Sequence, residues 1–308
     1  MKKLIRRISG ILSMFLPFNA IKTKQLPLLP FYHSVSEHTP LHIKNLYSSI
    51  TPEVFEQHLD FFVKHYVQAS NIADLYKPNR FLLSFDDGLS EIYKIAYPIM
   101  KRKGIKAVIF VNPAFIDNRD LMYRYKASLI IEKLIGQDDI KNKILQLSFL
   151  EKNKIVEMLK KYNLNISHYL KENRPYMTLQ ELRQMANDGF IIGMHSYEHS
   201  DYRYLTDEER YNDIRENIKW HRKNFPDQPL WFAFPFTDNG IPESFFKTMK
   251  KMGIEASFGT AGIKKCSIVN NFQRIPMEKY NGNIRRIIGG EYVYSSIRRI
   301  FGKNKVFH

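Results

Sequence analysis

Cysteine is almost absent from this 308-residue chain, which carries Cys266 alone. A single thiol excludes an internal disulfide framework, and no CxxC pair or thiol active-site signature surrounds it, so Cys266 is expected to be a small core residue. Long apolar runs are missing as well: none approaches the roughly 18 residues that a membrane-spanning helix needs. Internal repeats and low-complexity segments are also lacking. Acidic residues are under-represented, 31 against 47 Lys and Arg, which leaves a net charge of +16. That surplus suits an anionic partner such as a phospholipid surface, a phosphorylated substrate or nucleic acid. No nucleic-acid recognition motif accompanies it, so nucleic acid is not an expected partner. What is present is ample core-forming material, since 44% of the residues are hydrophobic.

Short β-prone runs alternate with longer stretches of helical periodicity, the βαβα pattern of a parallel sheet or barrel. Strands are expected at Leu28 to Tyr32, Phe81 to Phe85, Lys106 to Val111, Phe190 to Met194, Leu230 to Phe234, and near Glu255 to Phe258 and Gln273 to Met277. Helices are expected at Pro52 to Tyr66 behind an N-capping Thr51, at Leu89 to Lys103, at Thr178 to Asp188, at Thr206 to Asn224 with Glu209 in capping-box spacing, and at Pro242 to Met252. Residues 117–176 break this rhythm. Helical spacing at Leu129, Ile130, Leu134, Ile155 and Leu159 marks a helical insertion, packed outside the barrel or lying over its site.

Functional groups in parallel α/β architectures collect at the C-terminal ends of strands. Asp86 and Asp87 occupy one such end in FLLSFDDG, and two adjacent carboxylates resist burial unless something holds them. A plain turn is the competing explanation. The segment GMHSYEH follows another strand and sets His195 and His199 four residues apart, on one face if a helical turn begins there. With one carboxylate, two imidazoles make an open site of the zinc type with room for water. His195, Glu198 and His199 also match the H-x-x-E-H pattern of inverted zinc proteases, but that motif belongs inside a long helix and here a strand and a glycine precede it.

On SFDDG (84–88), HSYEH (195–199) and AFPFT (233–237), the chain resembles the polysaccharide deacetylases of carbohydrate esterase family 4, the NodB homology group, over about Leu28 to Tyr280. The resemblance implies a distorted (β/α) barrel of seven or eight strands with a helical insertion, and hydrolysis of acetamide groups on N-acetylated amino sugars of a polysaccharide or glycolipid precursor. It assigns Asp87, His195 and His199 to a divalent metal, zinc by default with Co, Ni or Mn also fitting the donor set. Asp86 becomes the general base, and the backbone N–H of Phe236 an oxyanion donor. The chain departs from the family pattern twice. Ala233 stands where an arginine usually orients the base, and Arg274 is the candidate substitute. The late Leu-x-His that supplies an acid is absent. His33, in LPFYHSV, resembles the early Tyr-His segment of the poly-N-acetylglucosamine deacetylase branch, where this histidine is the acid. Tyr197, Trp231 and Phe236 are candidates to line a glycan groove or, equally, to pack in the core.

The expected organisation is a basic amphipathic segment over 1–26, the deacetylase-like domain over 27–284, and a basic C-terminal tail over 285–308. Lys2, Lys3, Arg6 and Arg7 precede a short apolar stretch, which fits a segment lying on an anionic membrane surface; a weak export signal is the alternative. The expected location is cytoplasmic, peripheral on the inner membrane face. A catalytically impaired glycan-binding protein on the same fold is the rival to the enzyme.

Overall fold

A computed structural model describes residues 2–22, 26–134 and 137–308. Residues 1, 23–25 and 135–136, which belong to the expected N-terminal segment and helical insertion, lie outside the described residues. Eight strands form one parallel sheet: β1 (Pro30–Tyr32), β2 (Leu83–Phe85), β3 (Ala107–Val111), β4 (Ile191–Met194), β5 (Trp231–Ala233), β6 (Ala256–Gly259), β7 (Asn271–Gln273) and β8 (Ile275–Pro276). The spatial order is β8-β1-β2-β3-β4-β5-β6-β7.

The first and last strands of that order are one continuous stretch of chain, and this is how the sheet comes close to shutting on itself. β7 pairs with β6 in the register Phe258 opposite Phe272, and β8 pairs with β1 in the register Pro30 opposite Ile275. Between them the Arg274 N–H bonds Gly259 O at 3.0 Å and the Ile275 N–H bonds Leu29 O at 2.8 Å, so the strand passes from one neighbour to the other at Arg274.

Alternation along the strands separates two cores. Val108, Phe110, Trp231, Ala233, Ala256 and Phe258 fill one, while Leu83, Phe85, Ile109, Val111, Ile192, Met194, Phe232 and Phe234 pack into the other with the helices. Gly193 in β4 makes room for an aromatic neighbour, because a Cβ there would lie 2.4 Å from Phe110 Cδ1.

The helices begin where their caps direct. Thr51 accepts from Val54 N, and Thr178 with Glu181 and Thr206 with Glu209 close reciprocal capping boxes, opening Pro52–His65, Leu179–Asn187 and Asp207–Asn224. Three expectations shift. The run Phe81 to Phe85 divides, with Arg80–Phe81 pairing Val67–Gln68 and only Leu83–Phe85 joining the barrel. The helix expected from Leu89 opens with a wider turn over Ile92–Ala96 before Tyr97–Arg102 becomes α-helical. Cys266 is half-buried in the loop before β7 rather than a core residue, with Sγ 3.2 Å from Asn271 Nδ2 and from His308 Nε2.

The stretch 117–176 is helical, with Tyr123–Ile131, Asp138–Gln146, Lys152–Lys161 and Ile166–Asn173. It has its own small core of Ala127, Ile130, Ile131, Leu134, Ile144, Ile155 and Leu159. At the chain ends, Lys2–Phe15 packs against Gly290–Ile300. Among the described residues, no helix is long and apolar enough to cross a membrane.

Candidate metal centre and active site

The C-terminal ends of β1, β2, β4 and β5 open into a cavity of about 350 Å³ whose lining includes His33, Asp86, Asp87, His195, His199 and Phe236. An extended chain sends successive side chains to opposite faces, which would separate the two aspartates after β2. Asp87 has φ +69°, in the left-handed region, and this turns its carboxylate back into the cavity beside Asp86. Ser196, His199 and Phe236 also have positive φ, at +63°, +60° and +59°. Such backbone is unfavourable for residues with a Cβ and gathers where geometry serves a site. The segment after β4 is therefore a loop and not the helical turn that the spacing of His195 and His199 suggested; the two rings converge through that strained backbone. Glu198 leaves the cavity and pairs with Lys152 at 2.6 Å, which also removes the protease arrangement.

Asp87, His195 and His199 offer one ligand atom each within 4.8 Å of one another. Asp87 Oδ1 lies 3.5 Å from Nε2 of both rings. Donors bonded to one tetrahedral ion at 2.0–2.1 Å stand about 3.4 Å apart, so this spacing suits a shared cation. Asp87 Oδ1 is buried and has no hydrogen-bond partner among the described residues, a costly state that a cation relieves. Burial pulls His195 down to about 4 and His199 down to about 3, leaving both imidazoles in the neutral form that ligates metals. His195 donates Nδ1–H to Ala233 O at 2.8 Å, which turns the lone pair of Nε2 toward Asp87. The residues fit a divalent ion.

Asp87 is held from behind. Its Oδ2 accepts from Tyr125 at 2.6 Å and from Tyr47 at 3.2 Å. The helix carrying Tyr125 belongs to the insertion, which thus supplies part of the site. Asp213, from the helix after His199, braces the histidine loop by accepting from Ser196 Oγ at 2.9 Å and from the Tyr197 N–H at 3.1 Å.

Asp86 meets Arg274 in a two-pronged ion pair, Nη1 to Oδ1 at 2.6 Å and Nη2 to Oδ2 at 2.9 Å. Both side chains are buried, and the guanidinium is sandwiched 4.5 Å from the Phe31 ring and 5.1 Å from Phe110. Burial pushes the Asp86 carboxyl up, but the charge and hydrogen bonds of Arg274 outweigh it and hold it below the ordinary carboxylate range. Arg274 thus contacts the carboxylate for which Ala233 offers no partner.

His33 follows β1 directly and stacks on Tyr47 with ring centroids 4.2 Å apart. Its Nδ1 lies 2.8 Å from Glu278 Oε2, and the Glu278 carboxylate also accepts from the His33 and Ser34 backbone N–H groups. Burial alone would lower the imidazole; the charge and hydrogen bond of Glu278 reverse this and raise His33 to about 9. Phe236 sits 4.9 Å from the His199 ring, and among the described residues its N–H has no hydrogen-bond partner. Of the suggested groove aromatics, Phe236 reaches the cavity while Trp231 is buried in the core.

The sequence reading missed Glu278, Tyr47, Tyr125 and Asp213. A signal existed for one: Glu278 lies four residues beyond Arg274 in extended chain, which places both on one face of the strand.

The family model described as polysaccharide deacetylase matches residues 76–133 and 151–257. The Bacillus subtilis (strain 168) protein YxkH, classed with the polysaccharide deacetylases, is 22% identical over 248 residues, covering 78% of this chain and 66% of its own length. Among solved structures, the Streptococcus pyogenes deacetylase PplD in complex with acetate superposes with a TM-score of 0.59 at 15% identity, over 86% of this chain and 99% of that one. IcaB from Ammonifex degensii gives 0.56 at 12% identity, over 86% and 97%. At these identities the structures establish the shared barrel fold.

Proposed function

Because the chain belongs to the polysaccharide deacetylase family, we propose that it is a metal-dependent carbohydrate deacetylase that hydrolyses the acetamide of N-acetylated amino sugars in a glycan or glycolipid precursor. The observation that carries the reading is the convergence of Asp87, His195 and His199, from two separate strand ends, on one unpartnered carboxylate oxygen. Zinc is the ion we propose, from two neutral imidazoles and one carboxylate with open positions; Co, Ni or Mn would fit the same donors.

When bound, such an ion supplies a Lewis acid that acidifies water and polarises the acetyl carbonyl. Asp86 is the base that takes the proton from attacking water, and Arg274 keeps it ionised and oriented. The Phe236 N–H is aimed at the charge that develops on the carbonyl oxygen. His33, protonated at neutral pH through Glu278, delivers a proton to the amide nitrogen as the C–N bond breaks, so one water and one acetamide become acetate and a free amine. The impaired-binder alternative rests on the loss of an arginine and an acid from their usual positions, and the Arg274–Asp86 and Glu278–His33 pairs weigh against it.

The substrate we propose is presented at a membrane surface, with the protein peripheral on the cytoplasmic face; export through the N-terminal segment is the alternative. Acetate release from N-acetylglucosamine oligomers by the metal-loaded enzyme tests the chemistry. Release abolished in D86N and D87N supports it; a metal-loaded wild type that binds these glycans without releasing acetate favours the binding protein.

A further inference from the structure

The helix Lys2–Phe15 is amphipathic in the reverse of the usual sense. A surface helix ordinarily turns its large apolar stripe to the core and leaves small and polar groups outside. Here Ser9, Gly10 and Ser13 are buried, while Leu4, Ile8, Ile11, Leu12 and Phe15 are 60%, 46%, 45%, 48% and 81% exposed. The reason lies in the C-terminal helix. Gly289 and Gly290 let the two backbones approach so closely that a Cβ on Gly290 would lie 2.8 Å from Gly10 Cα, and one on Gly289 would lie 2.9 Å from Ser13 Cβ. Ser13 Oγ donates to Arg285 O at 3.2 Å, and Arg6 pairs with the buried Glu291 at 2.6 Å. These contacts run antiparallel and fix the rotation of the N-terminal helix about its axis. Its outward apolar stripe is therefore built in, and the exposed Ile300 and Phe301 lie at the far end of the same helix pair.

Beside this stripe runs a basic groove of about 480 Å³ lined by Arg6, Arg7, Lys279 and Arg286, in which the one carboxylate, Glu291, is already committed to Arg6. Pro276 lines both this groove and the catalytic cavity. Apolar side chains flanked by cations match the interface of a bilayer that carries anionic headgroups, where the stripe enters the acyl boundary and the cations meet phosphate.

We propose that the outer face of Lys2–Phe15, with the groove at Arg7 and Lys279, is the docking surface for an anionic lipid bilayer, and that it sets the catalytic cavity beside the lipid headgroups. The inference gives the membrane-surface reading its site, and it stands independently of the deacetylase chemistry.

The test uses the full chain, without glycan or added metal, in co-sedimentation with vesicles of phosphatidylcholine alone and of phosphatidylcholine with phosphatidylglycerol. The wild type is expected to sediment with the anionic vesicles and to bind the neutral ones more weakly. I8E/L12E should lose at least about tenfold in partitioning per residue on both compositions, since each side chain buries apolar area in the bilayer. R7E/K279E should lose the preference for anionic vesicles. These side chains are exposed, so unchanged thermal melts confirm that the variants fold. As a measurement independent of that loss, tryptophan placed at Leu12 should shift its emission to the blue on anionic vesicles. Three outcomes overturn the proposal: a wild type that stays in the supernatant with all vesicles, binding lost equally in K250E/K251E on a distant helix, or a wild-type dimer in vesicle-free solution that I8E/L12E converts to monomer. Acetate release is scored separately, so either conclusion can fail alone.

Discussion

Replacing Glu278 by glutamine keeps the shape of the His33 partner and removes its charge. In the wild type burial lowers the His33 pKa, and the Glu278 charge and hydrogen bond, helped by the Asp87 and Asp86 charges, raise it to about 9 against an ordinary 6.5. Without that charge burial is opposed only by the more weakly acting Asp87 and Asp86 carboxylates, and the group falls toward its ordinary value. At pH 7.5 a pKa of about 9 leaves roughly 97% of His33 protonated, whereas 6.5 leaves roughly 9%, about a tenfold loss of the acid form. In E278Q the kcat/KM for acetate release at pH 7.5 should fall about tenfold, and its alkaline limb should move down by about 2 to 3 pH units. Stability responds with a definite sign. Because the folded pKa is raised, the pair's contribution is fully present below about 6.5 and is lost as pH rises through about 9. It is worth on the order of 3 kcal/mol. Urea unfolding of wild type and E278Q should therefore differ most near pH 6 and converge toward pH 10. The pH–rate profile is the deciding assay. An alkaline limb unmoved in E278Q, with the fold intact, would refute the assignment of His33 as a protonated acid tuned by Glu278.

R274A strands the buried Asp86 carboxylate and should cost about 3–5 kcal/mol in urea unfolding, with part of the loss recovered in D86N/R274A; equal stability of R274A and wild type would contradict the ion pair. Y125F removes a hydrogen bond to Asp87 Oδ2 and should weaken metal binding roughly 10- to 100-fold in competition with a chromophoric chelator, while the melting curve of the metal-free protein changes little. G193A forces a methyl group against Phe110 inside the barrel and should cost about 1–3 kcal/mol without altering metal stoichiometry.

The barrel was legible in the sequence because its signals are local. Thr51, Thr178 and Thr206 cap their helices through contacts three residues away, and each strand is a short apolar run ahead of a turn. The site was legible to the extent that its groups lie at strand ends: Asp86, Asp87, His33 and the two histidines all occupy the cavity. The arrangement of those groups was not legible, since four-residue spacing suggested a helical turn where the chain uses positive φ at Ser196 and His199. Long-range partners were the least legible. Glu278 reaches His33 across 245 residues, and Tyr125 reaches Asp87 across 38; strand alternation with Arg274 could place Glu278 on a face, but neither pairing is written in the periodicity of a single sequence. Arg274 was a candidate from its place near the last strand. Its two-pronged grip on Asp86 follows from the strand passing from β6 to β1 at that residue, a feature of barrel closure rather than of local sequence.

The central claim is that Asp87, His195 and His199 hold one catalytic ion. It is tested most directly by the metal content of the purified 308-residue chain after equilibration with zinc and removal of the excess, beside D87N and H195A. The account predicts about one ion per chain in the wild type and none retained in either variant. A wild type that retains no ion, or variants that retain as much as the wild type, would contradict it.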